Sequence, residues 1–260
     1  MKPFIKVKNL SKTYVLGPQE RKEQGIRKKK ALKGVSFTVK KGECFGLIGP
    51  LDSGKTTVIR ALLNRTRTRN RQITIDGMPA YMYKSKDMIS AEHYLESNFY
   101  PQAYYDICAG KWNLEERENV RRRDMLFRKF GLSDVDQELM RDLPLELQKR
   151  VSLTLGMTNE PEVIFYDEAR EPLEDDTYKL LIEYLEDMKA KGKTIIMAVQ
   201  WDLRLVEKMC DSVGIMAKGN LIACDTMENI CQGRTLRWRY CEIYADYIQS
   251  LISRYAFVIS

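Results

Sequence analysis

The eight residues Gly49-Pro-Leu-Asp-Ser-Gly54-Lys55-Thr56 fit the pattern GxxxxGK[ST], and each fixed position answers a demand of phosphate binding. Glycines let the backbone turn tightly enough for successive amide groups to face phosphate oxygens. Lys55 brings a positive charge to the terminal phosphates, and the Thr56 hydroxyl offers a hard oxygen ligand to Mg2+. The loop follows an apolar run, Cys44 to Ile48, and opens a segment with Val58, Ala61 and Leu62 at helical spacing. A strand before and a helix after are the context the pattern requires, because the helix start adds its partial positive charge. A chance match in a Gly-containing loop is the alternative, and the flanking strand and helix weigh against it. The candidate nucleotide-contacting set is Gly49, Pro50, Leu51, Asp52, Ser53, Gly54, Lys55, Thr56 and Thr57. Asp52 is its unusual member. A carboxylate about 4 Å from a phosphate, at an effective dielectric near 20, repels it by about 4 kcal/mol before Mg2+ and salt reduce the cost.

A second constellation lies downstream. Val163-Ile-Phe-Tyr166 reads as a buried strand that delivers Asp167 and Glu168 to its C-terminal edge, where open α/β sheets bind their ligands. Taken alone, a core strand ending in solvated acids is the commoner meaning of such a run. Beside a phosphate loop, Asp167 reads as a metal-fixing carboxylate and Glu168 as the group that polarises an attacking water.

The elements that position these groups alternate along the chain. Cys44 to Ile48, Val163 to Tyr166, Thr194 to Val199 and Val213 to Met216 are short apolar runs of strand type. Segments of helical period separate them, which implies parallel strands with crossover helices and an α/β class. Thr177 to Met188 carries Leu180, Leu181, Tyr184, Leu185 and Met188 on one face, with Gly192 placed as a stop. Asp106 to Gly131 reads as a small charged helical subdomain. There Asn113 and Glu116 are spaced as a capping box, and Leu114, Met125, Phe127 and Phe130 take the apolar positions. Gly17 to Lys30 reads as an exposed loop, and the tail after Gln232 supports no assignment.

Composition excludes several classes. With 44% hydrophobic and 30% charged residues the chain is neither disordered nor collagen-like. There is no run of eighteen apolar residues and no signal-peptide pattern at the N-terminus, so neither a membrane span nor secretion is expected. Six cysteines without CxxC spacing and a single histidine, His93, leave little from which to build a zinc site. Reduced, mostly buried thiols in a cytosolic protein are the expectation. The formal charge of +7 concentrates in Arg21 to Lys30, in Arg65, Arg67, Arg69 and Arg71, and in Arg121 to Arg123. Solvated surface is the favoured meaning, an anionic membrane surface is second, and nucleic acid is last because no aromatic interleaving accompanies the runs.

From Val7 to about Asp225, the order and spacing of these blocks resemble the ATP-binding domain of ABC transporters, nearest the A-type and drug-export subfamilies. ALKGVSFTVKKGECFGLIGP leads into the phosphate loop as it does there. The resemblance implies a P-loop NTPase (RecA-like) core with a β-rich N-terminal edge and an inserted α-helical subdomain at about 104–155. The ATP-binding domain then spans 1–230, with 231–260 as an extension. It also implies ATP and Mg2+ as cofactors, a transmembrane permease subunit and a second nucleotide-binding subunit as partners, and a cytoplasmic position against the inner face of the membrane. Tyr14, in VKNLSKTY, takes the place of the adenine-stacking aromatic, although strand packing explains it equally well without the family. Gln102, in FYPQ, resembles the glutamine that contacts Mg2+ or the attacking water. Without the family it is a turn residue after Pro101. Gln200 holds the switch-histidine position.

The departures cluster in the hydrolysis motifs. Leu143-Pro-Leu-Glu-Leu147 stands where the family places the signature whose serine and glycine amides reach the γ-phosphate of the partner subunit's ATP. Pro144 has no N–H, Leu145 adds bulk and Glu146 adds negative charge. Gln200 exchanges hydrogen bonds but cannot become cationic. Glu174 replaces the aspartate of the D-loop, lengthening that side chain by one methylene. A weak ATPase subunit of a transporter is the reading these residues favour, with a non-hydrolysing regulatory or structural subunit as the alternative. A GTPase or kinase is disfavoured, because no NKxD-type motif occurs and the later blocks would go unexplained.

Overall fold

The computed structural model describes residues 2–68, 71–91, 98–168 and 172–259, without the side chains of Glu20, Gln24 and 254–259. His93 and Arg69 lie outside the described residues. The chain divides into two compact units, 1–84 together with 194–260, and 85–193.

In chain order, the first unit begins with β1 (Ile5–Val15), α1 (Pro18–Gln24), β2 (Lys28–Val39), β3 (Cys44–Ile48), α2 (Lys55–Leu62), β4 (Ile73–Ile75) and β5 (Met78–Pro79). The second holds β6 (Lys86–Ile89), α3 (Pro101–Gly110), α4 (Glu116–Lys129), α5 (Leu145–Leu155), β7 (Val163–Asp167) and α6 (Asp175–Ala190). The first then resumes with β8 (Thr194–Val199), α7 (Leu203–Met209), β9 (Ser212–Ala217), β10 (Asn220–Thr226), α8 (Met227–Cys231) and α9 (Leu236–Ile259).

Two sheets organise the first unit. β1 and β2 form a long antiparallel pair, and β4 and β5 extend it beyond β1. In β1, Ile5, Val7 and Leu10 turn inward while Lys6 and Lys8 face solvent, the alternation of a sheet with one wet face. β3 lies between β8 and β9, parallel to both, and β10 pairs antiparallel with β9. Every residue of β3 and β8 is buried, which is why they read as unbroken apolar runs. Gly46 of β3 is needed for packing: a Cβ there would lie 2.5 Å from Cγ1 of Val206 on α7.

In the second unit, β6 and β7 run parallel with Ile89 opposite Tyr166. α6 buries Leu181, Leu185 and Met188 and begins with Asp175 and Asp176, acids that suit the positive end of a helix. It ends as the sequence implies, with Gly192 at φ +73° and Lys193 N–H donating to the Met188 carbonyl. α5 is tied to the end of β6 by the Ser152 hydroxyl, which donates to the Ser90 carbonyl at 2.9 Å. Arg150 donates to Thr177 Oγ1 at 2.7 Å and to the Phe130 carbonyl at 3.2 Å.

Four local expectations need correction. Asn113 and Glu116 do not form a capping box. Asn113 sits in a turn at φ +52°, and Glu115 is the cap residue, without a side-chain hydrogen bond. Met125 is 57% exposed, and Leu126 takes the core position beside Phe127 and Phe130. Gly17 to Lys30 is not one loop: it contains α1, and β2 already begins at Lys28. Of the cysteines, only Cys44, Cys210 and Cys231 are buried, Cys108 is partly exposed, and Cys224 and Cys241 are exposed. The unassigned tail after Gln232 is α9, held by Asn220 Nδ2 donating to Tyr247 Oη at 3.0 Å and by Arg239 Nε donating to the Ile230 carbonyl. No described helix is long and apolar enough to cross a membrane.

Gly46→Ala is expected to destabilise the fold by about 1–3 kcal/mol through overpacking. Gly110→Ala, which meets nothing within 4 Å, is expected to be neutral or mildly stabilising. Thermal unfolding of the two variants beside the parent checks the contrast.

Candidate functional site

The phosphate loop is built by close backbone approaches. β3 ends at Ile48, and Gly49 leaves it at φ +154°. A Cβ at Gly49 would lie 2.3 Å from the Met216 carbonyl oxygen of β9, and one at Gly54 would lie 2.8 Å from the Ala31 carbonyl oxygen of β2. No side chain larger than hydrogen fits either position unless the backbone moves. The Gly219 N–H donates to the Ser53 carbonyl at 2.9 Å and fixes the far side of the loop. Ser53 is buried, Leu51 and Thr56 are exposed, and Pro50 and Thr57 lie between these extremes.

Lys55, the first residue of α2, is 8% exposed. Its ammonium donates to the carbonyls of Gly49 at 2.7 Å and Pro50 at 3.0 Å, and lies 3.4 Å from Ser53 Oγ. The charge is therefore held at the centre of the loop by groups that a phosphate can replace. Gly54 caps α2 with no side-chain hydrogen bond, and no acid stands in the first turn. The first-turn amides thus face the loop with no side-chain cap and no competing carboxylate in that turn, the condition for an anion at a helix start. These residues fit the polyphosphate of a nucleotide. In the first unit, the exposed Thr56 hydroxyl is a hard oxygen donor of the kind Mg2+ takes. No cluster of three metal-ligating His, Cys, Asp or Glu side chains occurs among the described residues.

Asp52 does not sit as the sequence suggests. It adopts φ +59°, a left-handed conformation that aspartate tolerates, and its side chain is 75% exposed rather than enclosed by the cradle. Its carboxylate lies 3.2 Å from Nζ of Lys29 on β2. The repulsion expected from a bare carboxylate is therefore reduced by an adjacent cation.

Tyr14 is half-buried on β1, directly opposite Lys29 of β2. Lys12 Nζ stands 5.2 Å from its ring centroid. Its hydroxyl is shielded from solvent and makes no hydrogen bond among the described residues. Gln200 follows β8, whose last residue Val199 is opposite Ile48 of β3, so Gln200 and Gly49 leave neighbouring parallel strands at the same edge. The first unit thus gathers the phosphate loop and the Gln200 position along one strand edge.

The second unit carries the acidic half. Asp167 ends β7 and Glu168 follows it, both partly exposed. Gln102 is in the first turn of α3 rather than in an open turn, its N–H donating to the Asp136 carbonyl at 3.1 Å. The LPLEL segment starts α5, with Pro144 as the cap residue and Leu145 exposed. Glu146 occupies the first turn, and one of its carboxylate oxygens is shielded from solvent without a hydrogen bond among the described residues. Glu174 caps α6 with no side-chain hydrogen bond. Lys29 is the residue that the sequence reading missed, since nothing in a run of three lysines marks the one that faces the loop.

Residues 32–171 match the family model described as ABC transporter. The chain belongs to the ABC transporter family. An uncharacterised ABC transporter ATP-binding protein of Methanocaldococcus jannaschii is 27% identical over 232 residues, covering 89% of this chain and 81% of that protein. A methionine import ATP-binding protein of Listeria monocytogenes is 28% identical over 240 residues, covering 86% and 70%. A solved ATP-binding subunit of an ABC transporter overlays with a TM-score of 0.79 at 25% identity, over 93% of this chain and 99% of that one. The chain is thus an ATP-binding subunit of the ABC type with a P-loop NTPase fold, and subunits of this type pair with transmembrane permease components.

Lys55→Ala removes the only side-chain cation held within the cradle among the described residues. Saturating Mg-ATP is expected to raise the melting temperature of the parent and to leave that of Lys55→Ala unmoved. An equal rise in both would show that nucleotide does not use this loop.

Proposed function

We propose that this ABC subunit binds Mg-ATP and hydrolyses it slowly on its own. In this reading it couples binding to transport through a separate transmembrane permease, at the cytoplasmic face of the membrane, and it works beside a second nucleotide-binding subunit. The observation that carries the reading is the contrast between a phosphate loop with buried Lys55 at its centre and an α5 start that presents Pro144, Leu145 and Glu146.

Each residue takes a role suited to its chemistry. Gly49 to Thr57 wrap the polyphosphate, Lys55 balances the terminal phosphates, and Tyr14 stacks on the base. Thr56 and Asp167, with Gln102, would hold Mg2+, which when bound would neutralise phosphate charge and orient the leaving group. Glu168 accepts a hydrogen bond from the attacking water and draws off its proton. Gln200 positions that water or the γ-phosphate but cannot add the positive charge of a protonated histidine.

The same logic explains slow turnover. A signature contributes amide and hydroxyl donors to phosphate, and each charge-assisted hydrogen bond lost costs about 1.5–3 kcal/mol. Pro144 donates none, and Glu146 repels phosphate. A second subunit with an intact signature would supply what this chain lacks, which favours a heterodimer. Regulatory use without turnover is the second reading, supported by the same α5 start and by Gln200.

Two experiments separate these readings. Glu168→Gln is expected to retain bound ATP while phosphate release falls below the parent's, and equal release would remove Glu168 as the base. Restoring donors with Pro144→Ser, Leu145→Gly and Glu146→Gly, together with Gln200→His, is expected to raise phosphate release by at least about tenfold. No gain would move the limit to Asp52, Glu174 or the missing partner.

A further inference from the structure

Lys29 and Asp52 meet at the mouth of the phosphate loop, and the surrounding backbone explains why they must. The Ala31 carbonyl of β2 abuts Gly54, so this part of β2 is pinned against the loop. Lys29 lies two residues earlier on the same strand, just beyond the register shift that leaves Ala31 unpaired with β1. It is also directly opposite Tyr14 in the antiparallel pair, so the two side chains project to one side. Lys29 therefore reaches from the Tyr14 face to the phosphate loop, and its ammonium ends 3.2 Å from the Asp52 carboxylate. Asp52 in turn occupies a left-handed turn position, φ +59°, where glycine is the unstrained residue and aspartate one of the few alternatives.

We propose that Lys29 is a charge-compensating residue of the nucleotide site, whose function is to cancel the carboxylate that Asp52 introduces into the phosphate loop. The proposal rests on the reading of this loop as an ATP site. Without Lys29, the charges of Asp52 and Lys55 would sum to zero at the loop, and an incoming polyphosphate would feel little attraction. With Lys29 paired to Asp52, the charge of Lys55 remains uncancelled. Lys29 is 37% exposed and Asp52 75%, so the pair contributes little to folding stability, and its effect falls on the approach of an anion. The two positions form a unit: a carboxylate at 52 is tolerated because a cation stands at 29.

The test is a double-mutant cycle read by equilibrium binding of a fluorescent Mg-ATP analogue, with nucleotide-free melting temperatures as the control for folding. At low salt, Lys29→Ala is expected to weaken binding about tenfold, and Lys29→Arg to hold it near the parent value. Asp52→Gly together with Lys29→Ala is expected to recover binding to within about twofold of Asp52→Gly alone, and the Lys29→Ala loss is expected to shrink at high salt. An unchanged affinity in Lys29→Ala overturns the proposal. So does an equal loss on removing Lys29 from the Asp52→Gly background, since Lys29 would then act on nucleotide directly. Lys55-dependent binding by Asp52→Gly with none by the parent would keep the ATP site and refute the compensation. Absence of binding in every variant would refute both.

Discussion

The nucleotide site depends on the absence of side chains at two glycines. Gly49 brings the loop against the Met216 carbonyl of β9, and Gly54 brings it against the Ala31 carbonyl of β2, at distances that no Cβ could share. These contacts fix the loop between two strands before any side chain is considered. Lys55 then has a defined place, with the carbonyls of Gly49 and Pro50 around its ammonium. Parallel pairing of β3 with β8 and β9 sets the edge from which both the loop and Gln200 depart. The apolar side chains of β3 and β8 hold that edge rigid by burying every residue of both strands.

Much of this was legible in the sequence. The apolar runs at Cys44 to Ile48 and Thr194 to Val199 coincide with β3 and β8, because strands buried on both faces read as near-continuous apolar runs. Gly192 ends α6 as read, since a left-handed stop has a local chemical signature. The failures occur where local pattern is silent. α1, with the sequence PQERKEQ, has no apolar stripe, and the first residues of β2 are three lysines whose strand pairing with β1 nothing in their own composition reveals. In α4 the neighbours Met125 and Leu126 compete for one core position, and tertiary packing selected Leu126. In α9, Tyr240, Tyr244 and Tyr247 share helical spacing, while Trp238 falls off that face. Trp238 is exposed, whereas the rings of Tyr240 and Tyr244 lie against each other at a tilt of 33°.

The site was legible in its identities more than in its charges. The family was recoverable from order and spacing, as the match over residues 32–171 bears out. The environment of Asp52 was not, because its partner lies on a strand that reaches the loop only after folding. The general lesson concerns charge: an unfavourable residue in a motif has to be judged with the cation that tertiary structure sets beside it. Pro144, at the start of α5, has no N–H to donate, and a neighbouring charge cannot restore one.

In the proposed function, a cradle that fits phosphate works beside hydrolysis motifs short of donors and charge. Isothermal titration of the purified chain with Mg-ATP, followed by phosphate release from the same sample, tests that contrast most directly. Saturable binding with release far slower than binding is the predicted result. Absence of binding, with a correctly folded chain, would contradict it and leave an ABC fold whose phosphate loop serves structure alone.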